Sequence, residues 1–258
     1  MSSGIICLHD LSFGYNGRED SVLRRLSLDI SEANITAILG PNGSGKTTLL
    51  SLLLGIRSPH RGTILIQGRD RTHYSRSALS RLIGLVPQDE TFPLGLSVFH
   101  YVLLGRAPYR GLLEGPKQGD LDVAIQAIRT VGLTSFSTRL IASLSGGERQ
   151  LAVVARAVAQ NPRILLMDEP TAHLDLGNRT RITGLMRDLA AEGVTVVLTT
   201  HDPNVAAQVA SDVVLLRQGQ IVAAGAVDDV LTASYLTATY DVAVHIAHVH
   251  GKPVVVVP

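Results

Sequence analysis

Apolar residues along this chain fall in short blocks, and the period of each block marks an element. Ile5 to Phe13 alternates loosely in residues that favour extended backbone and stops at Gly14-Tyr15-Asn16-Gly17, a turn signal. Leu23 to Ile30 reads as a second strand, Glu32-Ala33-Asn34 as a turn, and the unbroken run Ile35 to Leu39 as a buried third strand. Leu49, Leu50, Leu52, Leu53 and Leu54 predict a buried helix. Pro59-His60-Arg61-Gly62 reads as a turn with His60 in solvent, Thr63 to Gln67 as a short strand, and Ser77 to Arg81 as a helical turn. Leu82 to Val86 is a compact apolar run that ends at Pro87-Gln88.

From Asp89 to about Pro116 the pattern breaks, because Pro93, Gly95, Gly105, Pro108, Gly111, Gly115 and Pro116 interrupt any long element. This stretch is expected to begin an inserted subdomain. Leu121, Ala124, Ile125, Ile128 and Val131 then recur at helical spacing, as do Leu151, Val154, Ala155 and Val158, and later Ile182, Leu185, Met186 and Leu189. Ile164 to Met167 and Val194 to Thr199 read as buried strands between those helices. The tail reads as two strands, Val242 to Val249 and Val254 to Val257, joined by His250-Gly251-Lys252-Pro253.

The candidate chemistry sits where predicted strands stop. Gly40-Pro41-Asn42-Gly43-Ser44-Gly45-Lys46-Thr47-Thr48 lies between the third strand and the first helix. A phosphate needs backbone N–H groups crowded at a helix N-terminus, and glycines let the backbone come close. Gly40, Gly43 and Gly45 supply this, with Lys46 to reach the terminal phosphates and Thr47 to bind Mg²⁺. The pattern predicts a nucleoside triphosphate site. Tyr15, at the turn before it, is a candidate to stack on adenine or, alternatively, an edge aromatic that caps the sheet.

A second anion-binding end is expected at Leu144-Ser145-Gly146-Gly147-Glu148-Arg149-Gln150. There Ser145 can cap a helix while Gly146 and Gly147 leave its N–H groups bare, with no lysine nearby in sequence. Such an end makes sense over the γ-phosphate of a nucleotide held by another copy of the chain. Met167-Asp168-Glu169-Pro170 closes an apolar strand with two carboxylates, Asp168 for Mg²⁺ and Glu169 for the attacking water, with strand alternation expected to point them apart. His201 follows the next buried strand, just before Asp202-Pro203, a capped helix start with first-turn proline. That position suits contact with a γ-phosphate.

With both phosphate motifs, the carboxylate pair, Gln88 and His201 in this order, the chain resembles the ATPase subunit of ABC transporters over essentially its full length. The resemblance implies an α/β P-loop NTPase fold of the ABC ATPase type, with a mixed sheet core, an antiparallel N-terminal β part and an inserted helical subdomain. The core would take about 1–88 and 161–258 and the helical part about 89–160. It further implies ATP and Mg²⁺ as the bound groups, with Tyr15 on the adenine and Gly40, Pro41, Asn42, Gly43, Ser44, Gly45, Lys46, Thr47 and Thr48 on the phosphates. Gln88 would sense Mg²⁺ and the γ-phosphate and couple to a membrane subunit. Ser145, Gly146 and Gly147 would close over the partner's ATP and Asp175 would bridge the dimer. Asp168 and Glu169 would be the metal and catalytic carboxylates, and His201 the switch histidine. The implied partners are a second copy, head to tail, permease subunits and, indirectly, a substrate-binding protein, at the cytoplasmic face of a membrane.

Val102 to Tyr109, Thr200 to Asn204 and the tail are similar to importer ATPases for iron–siderophore, haem, cobalamin and sometimes molybdate. An exporter ATPase and a non-transport ABC ATPase acting on nucleic acid or ribosomes are the rival readings. Against the latter stands the lack of a long coiled coil or a second ATPase copy in the 258 residues. Glu148 replaces a more usual glutamine, and His173 falls at a variable position and is given no role.

Composition trims these options. Lys and Arg number 23 against 22 Asp and Glu, a net charge of +1, so nothing suggests a polyanion-binding surface or a nucleic acid partner. The single cysteine, Cys7, excludes an internal disulfide and is expected in a buried strand. Ile5 to Leu8 is too short for a signal peptide, and the longest apolar runs fall short of the roughly 18 residues of a membrane span, so a cytosolic start is expected. His245, His248 and His250 cluster in the tail, with His248 and His250 expected on one strand face; the turn signal beside them favours a hairpin over a metal site.

Overall fold

The computed structural model describes residues 4–15, 22–92, 94–111, 113–172 and 174–257; Pro93, His173 and the Asn16-Gly17 part of the first turn lie outside them. Strand β1 (Ile6–Phe13) pairs antiparallel with β2 (Leu23–Ile30), Ile6 opposite Ile30 and Phe13 opposite Leu23. The fully buried β3 (Ile35–Leu39) leads into helix α1 (Lys46–Leu53). β4 (Arg61–Ile66) returns to the free edge of β1, and β5 (Arg69–Asp70) completes an antiparallel sheet in the order β2-β1-β4-β5. His60 is exposed, yet it is not simply solvated: its ring stacks on Phe13 and its Nε2 lies 2.9 Å from the Gly14 carbonyl.

Arg71 shows how α1 is finished. Its guanidinium is buried and Nη1 donates to the carbonyls of Leu52 at 2.8 Å and Arg57 at 2.9 Å. The Leu52 carbonyl belongs to the last turn of α1, whose free carbonyls carry partial negative charge, and this adds to the field of the Asp70 carboxylate on the cation.

Helix α2 (Arg76–Leu82) precedes β6 (Ile83–Val86). The segment expected to hold no long element carries two short ones, α3 (Val98–Leu103), capped by Ser97, and a 3-10 turn over Leu104–Tyr109. Gly105, read as a breaker, is there because a Cβ would lie 2.2 Å from the Arg156 carbonyl. In α4 (Gln118–Thr130) the buried face is Ala124, Ala127 and Ile128, continued by Val131, whereas Ile125 is 39% exposed. The spacing i, i+3, i+4, i+7 from Ala124 leaves Ile125 a full 100° step round the helix. α5 (Gly146–Ala159) is buried almost all round, with Val153 and Ala157 as enclosed as Leu151, because it packs against α3, α4 and α6 (Leu176–Ala191).

β7 (Ile164–Asp168) and β8 (Thr195–Thr200) follow as parallel neighbours, then α7 (Pro203–Val209), β9 (Asp212–Arg217) and β10 (Gln220–Ala226). The larger sheet has the order β10-β9-β3-β8-β7-β6, parallel except for β10. Alternation divides its residues between two cores. Ile38, Leu166, Val197 and Val214 join α1 and the antiparallel sheet, while Leu39, Met167, Leu198 and Leu215 join α3 to α7.

The chain ends with α8 (Val227–Val230), α9 (Ala233–Tyr240) and the hairpin β11 (His245–Val249) and β12 (Lys252–Val256). His250 and Gly251 form its two-residue turn with φ of 51° and 76°. His250 is therefore outside the strand and shares no strand face with His248. Among the described residues no group of three His, Cys, Asp or Glu side chains is placed to hold a metal. No helix among the described residues is long and apolar enough to cross a membrane.

Candidate active site

The parallel strands β3, β6, β7 and β8 end on one edge of the sheet, and the loops that leave them converge there. After β3 the loop turns sharply, with Gly43 at φ 79° and Gly45 at φ 108° as the residue before α1. Both conformations belong to glycine. Gly40 serves differently: a Cβ there would lie 2.1 Å from the Leu216 carbonyl and 2.7 Å from Ser44 Oγ, so its bareness lets the loop pack on β9. Lys46 opens α1 and is buried, its Nζ donating to the Gly40 carbonyl at 2.7 Å and the Pro41 carbonyl at 3.2 Å. Burial pulls its pKa below the usual lysine value, opposed by the nearby carboxylates of Glu169 and Asp168.

β7 delivers the two carboxylates. Asp168 is buried and accepts a hydrogen bond from the hydroxyl of Thr199 on β8. Glu169 takes φ 47°, so the chain has already left the strand, and alternation does not set its direction as expected. Its amide donates to the Thr199 carbonyl at 3.2 Å and hydroxyl at 3.0 Å. Its side chain ends 3.9 Å from Lys46 Nζ and 2.9 Å from His201 Nδ1. Asp202 caps α7 with Pro203 in the first turn, as expected, which fixes where His201 leaves β8.

Tyr15 is 40% exposed at the rim. Its hydroxyl lies 3.1 Å from Thr48 Oγ1, its ring meets Phe13 edge-on, and the Arg57 guanidinium sits 4.7 Å from the ring centre. Tyr15, Asn42, Gly43, Gly45, Lys46, Thr47, Thr48, Gln88, Glu169 and His201 together line a cavity of about 540 Å³. Gly40, Pro41 and Ser44 form the loop itself, and Asp168 is held by the Thr199 hydroxyl beside it.

Ser145, Gly146, Gly147 and Asp175 do not line that cavity. They form a second constellation at the starts of α5 and α6. Ser145 Oγ accepts from the Glu148 amide at 3.3 Å, and Glu148 Oε2 accepts from the Ser145 amide and hydroxyl, each at 2.8 Å. Glu148 is thus half of a capping box. Asp175 caps α6 through the Asn178 amide at 2.8 Å and accepts from Asn178 Nδ2 at 2.9 Å. A Cβ on Gly147 would lie 2.2 Å from that same Nδ2, so Gly147 and Asn178 knit the two helix starts together.

Sequence reasoning passed over Thr199, Asn178 and the capping work of Glu148. The last was readable, since Ser followed three residues on by Glu is a helix-start signature. Thr199, a polar residue at a buried strand position, gave only a faint signal, and Asn178 none.

The donor set suits a triphosphate with a hard cation. Ser44 Oγ is buried without a protein partner, Lys46 lines the cavity at the start of α1, and Thr47, Gln88 and Asp168 each carry a side-chain oxygen of the kind Mg²⁺ takes. Fold and site together define a P-loop nucleotide-binding protein. Residues 23–172 match the family model described as ABC transporter. The chain belongs to that family, and it is an ATP-binding, ATP-hydrolysing subunit.

Several relatives are similar along most of the chain. The molybdate import ATP-binding protein of Haemophilus influenzae is 39% identical, over 91% of this chain and 87% of its own. The ferric enterobactin transport ATP-binding protein of Escherichia coli is 35% identical, over 95% and 91%. A solved structure titled as a metal-chelate type ABC transporter in an inward-facing conformation superposes with a TM-score of 0.86 at 35% identity, covering 99% of this chain and 98% of that one.

Proposed function

We propose that this chain is the ATPase of an importer for a metal chelate, such as an iron–siderophore, haem, cobalamin or molybdate-like cargo, and that it works as a head-to-tail dimer with two ATP at the interface. The observation that carries the dimer is the separation of the two constellations: the Lys46 cavity has the triphosphate cradle and the hydrolytic side chains, while the bare N-terminus at Ser145 to Gly147 lies outside it. A second copy supplies what each cavity lacks. The names of the molybdate import and ferric enterobactin transport relatives support this cargo class, and that of the molybdate relative supports import.

On this reading Tyr15 stacks the adenine, and the loop Gly40 to Thr48 holds the phosphates with Lys46 on the terminal ones. Glu169 accepts a proton from the attacking water, its carboxylate held between Lys46 and His201. Thr47, Gln88 and Asp168 would hold Mg²⁺, which when bound would supply positive charge beside the phosphate oxygens. His201 contacts the γ-phosphate and Asp175 bridges the two copies. Gln88, exposed just past β6, carries closure to a permease, and residues 89–160 move as a helical subdomain against a core of 1–88 and 161–258. The subunit is peripheral at the cytoplasmic face and meets a substrate-binding protein only through the permease.

Glu169→Gln tests the reading. The variant is expected to lose turnover, keep ATP and accumulate as a dimer by light scattering. A variant that stays monomeric at every ATP concentration overturns the dimer. Purification from native membranes is expected to bring down a many-helix permease and, for import, a binding protein.

A further inference from the structure

The last elements of the chain lie beyond the residues, 23–172, that carry the family match, yet they reach the candidate active site. α9 ends at Tyr240, and the Tyr240 hydroxyl donates to the main-chain carbonyl of His201 at 3.3 Å. That helix end is itself anchored. Arg217, closing β9, bonds both the Ala238 carbonyl and the Asp241 carboxylate, and Asp241 terminates the helix at φ 58°. A second tie lies three residues past His201. Asn204 Nδ2 donates to the Val255 carbonyl at 3.1 Å, and Asn204 Oδ1 accepts from the Val255 amide at 2.8 Å. At the far end of α7, Lys252 Nζ donates to the Gln208 carbonyl at 2.8 Å. The tail thus grips the β8–α7 junction on His201 itself and along the helix that follows.

His201 needs such support. Its side chain is 60% exposed, and the contact that orients the imidazole is the one to Glu169. A rotation of the main chain at residue 201 would swing the ring off that carboxylate. Tyr240 is suited to prevent it, because a phenol is protonated at neutral pH and can donate; burial first, then the charges of Glu169 and Asp202, raise its pKa further.

We propose that Tyr240 is a positioning residue for hydrolysis: its hydroxyl holds the His201 main chain so that the imidazole stays on Glu169, and the unit of α9 and the hairpin β11–β12 is a working part of the site. This rests on the reading of Glu169 and His201 as the hydrolytic pair. Tyr240→Phe in the full chain removes the hydroxyl, with its bond to the His201 carbonyl and its contact with the Gly40 backbone, and keeps the ring. Its kcat for ATP is expected to fall about three- to ten-fold, the rate equivalent of one such bond, with KM changed less than about two-fold. In nucleotide-free protein, hydrogen exchange of residues 200–206 is expected to quicken while the rest of the chain is unchanged. Asn204→Ala should quicken exchange in the same segment.

His201→Ala, measured alongside, separates the two ideas. If it keeps full turnover, the hydrolytic pair is misread and the proposal falls with it. If it loses turnover while Tyr240→Phe keeps both wild-type kcat and wild-type exchange, the positioning role alone is overturned. Exchange that quickens throughout Tyr240→Phe, with a lowered melting temperature, marks the hydroxyl as merely structural and overturns it too.

Discussion

Thr199 ties β7 to β8 at their ends, and replacing it by valine isolates that tie. The side chain is fully buried, its hydroxyl donates to Asp168, and it accepts from the Glu169 amide at 3.0 Å. Valine has nearly the same shape, so no cavity opens, but the hydroxyl is gone. The Glu169 amide keeps the Thr199 carbonyl at 3.2 Å, so its loss is small. The cost falls on Asp168, which loses a donor inside the protein, and a hydrogen bond to a charged group is worth about 1.5–3 kcal/mol. We expect a destabilisation near ~2 kcal/mol, which for a chain of this size lowers the melting temperature by roughly 4–8 °C. Urea denaturation of metal-free protein at neutral pH measures it. Thr199→Ser keeps the hydroxyl and deletes one methyl, about 0.8 kcal/mol, so it should be the milder change. Valine within about 0.5 kcal/mol of wild type, or serine worse than valine, would refute the reasoning.

Two glycines of the phosphate loop should respond differently to alanine. At Gly40 the new Cβ would meet the Leu216 carbonyl at 2.1 Å, a backbone clash expected to cost about 1–3 kcal/mol in urea denaturation and to weaken ATP binding. At Gly43 the space is open and the φ of 79° is the obstacle, so only about 1–2 kcal/mol of conformational strain is expected. Equal effects on packing-sensitive probes of β9 would contradict the distinction. Stability should also fall on the acid side. The Lys117 amide and Arg106 hold Asp120, the Ser145 amide and hydroxyl hold Glu148, and the Asn178 amide holds Asp175, each below its ordinary carboxyl value. A depressed carboxyl stabilises the fold above its unfolded pKa and loses that contribution as pH falls through the folded one, because the unfolded chain takes up the proton first. The urea midpoint should therefore drop below about pH 4.5, and Asp120→Asn should flatten that limb.

Much of this protein was legible where function and element share one contiguous stretch. The run Ile35 to Lys46 encodes a strand, a positive-φ loop and a helix start in sequence order, and the structure forms each of them. Ser145 to Glu148 and Asp202-Pro203 are equally local, since a cap needs only its own next three residues. Less was legible where a residue's neighbours are distant in the chain. Gly105 read as a breaker because its partner, the Arg156 carbonyl, lies on another helix. Ile125 read as core because a helical period fixes which residues share a face, not how wide the neighbouring element is.

The order of motifs along the chain was enough to determine the family, the nucleotide and the chemical type of each side chain, because those depend on spacings within a few residues. Tertiary structure alone decided that Thr199 joins Asp168 to Glu169, that Asn178 packs on Gly147, and that Tyr240 from the tail reaches His201. Such contacts are made between segments that meet only when the sheet closes and the helices pack, and no local spacing encodes them.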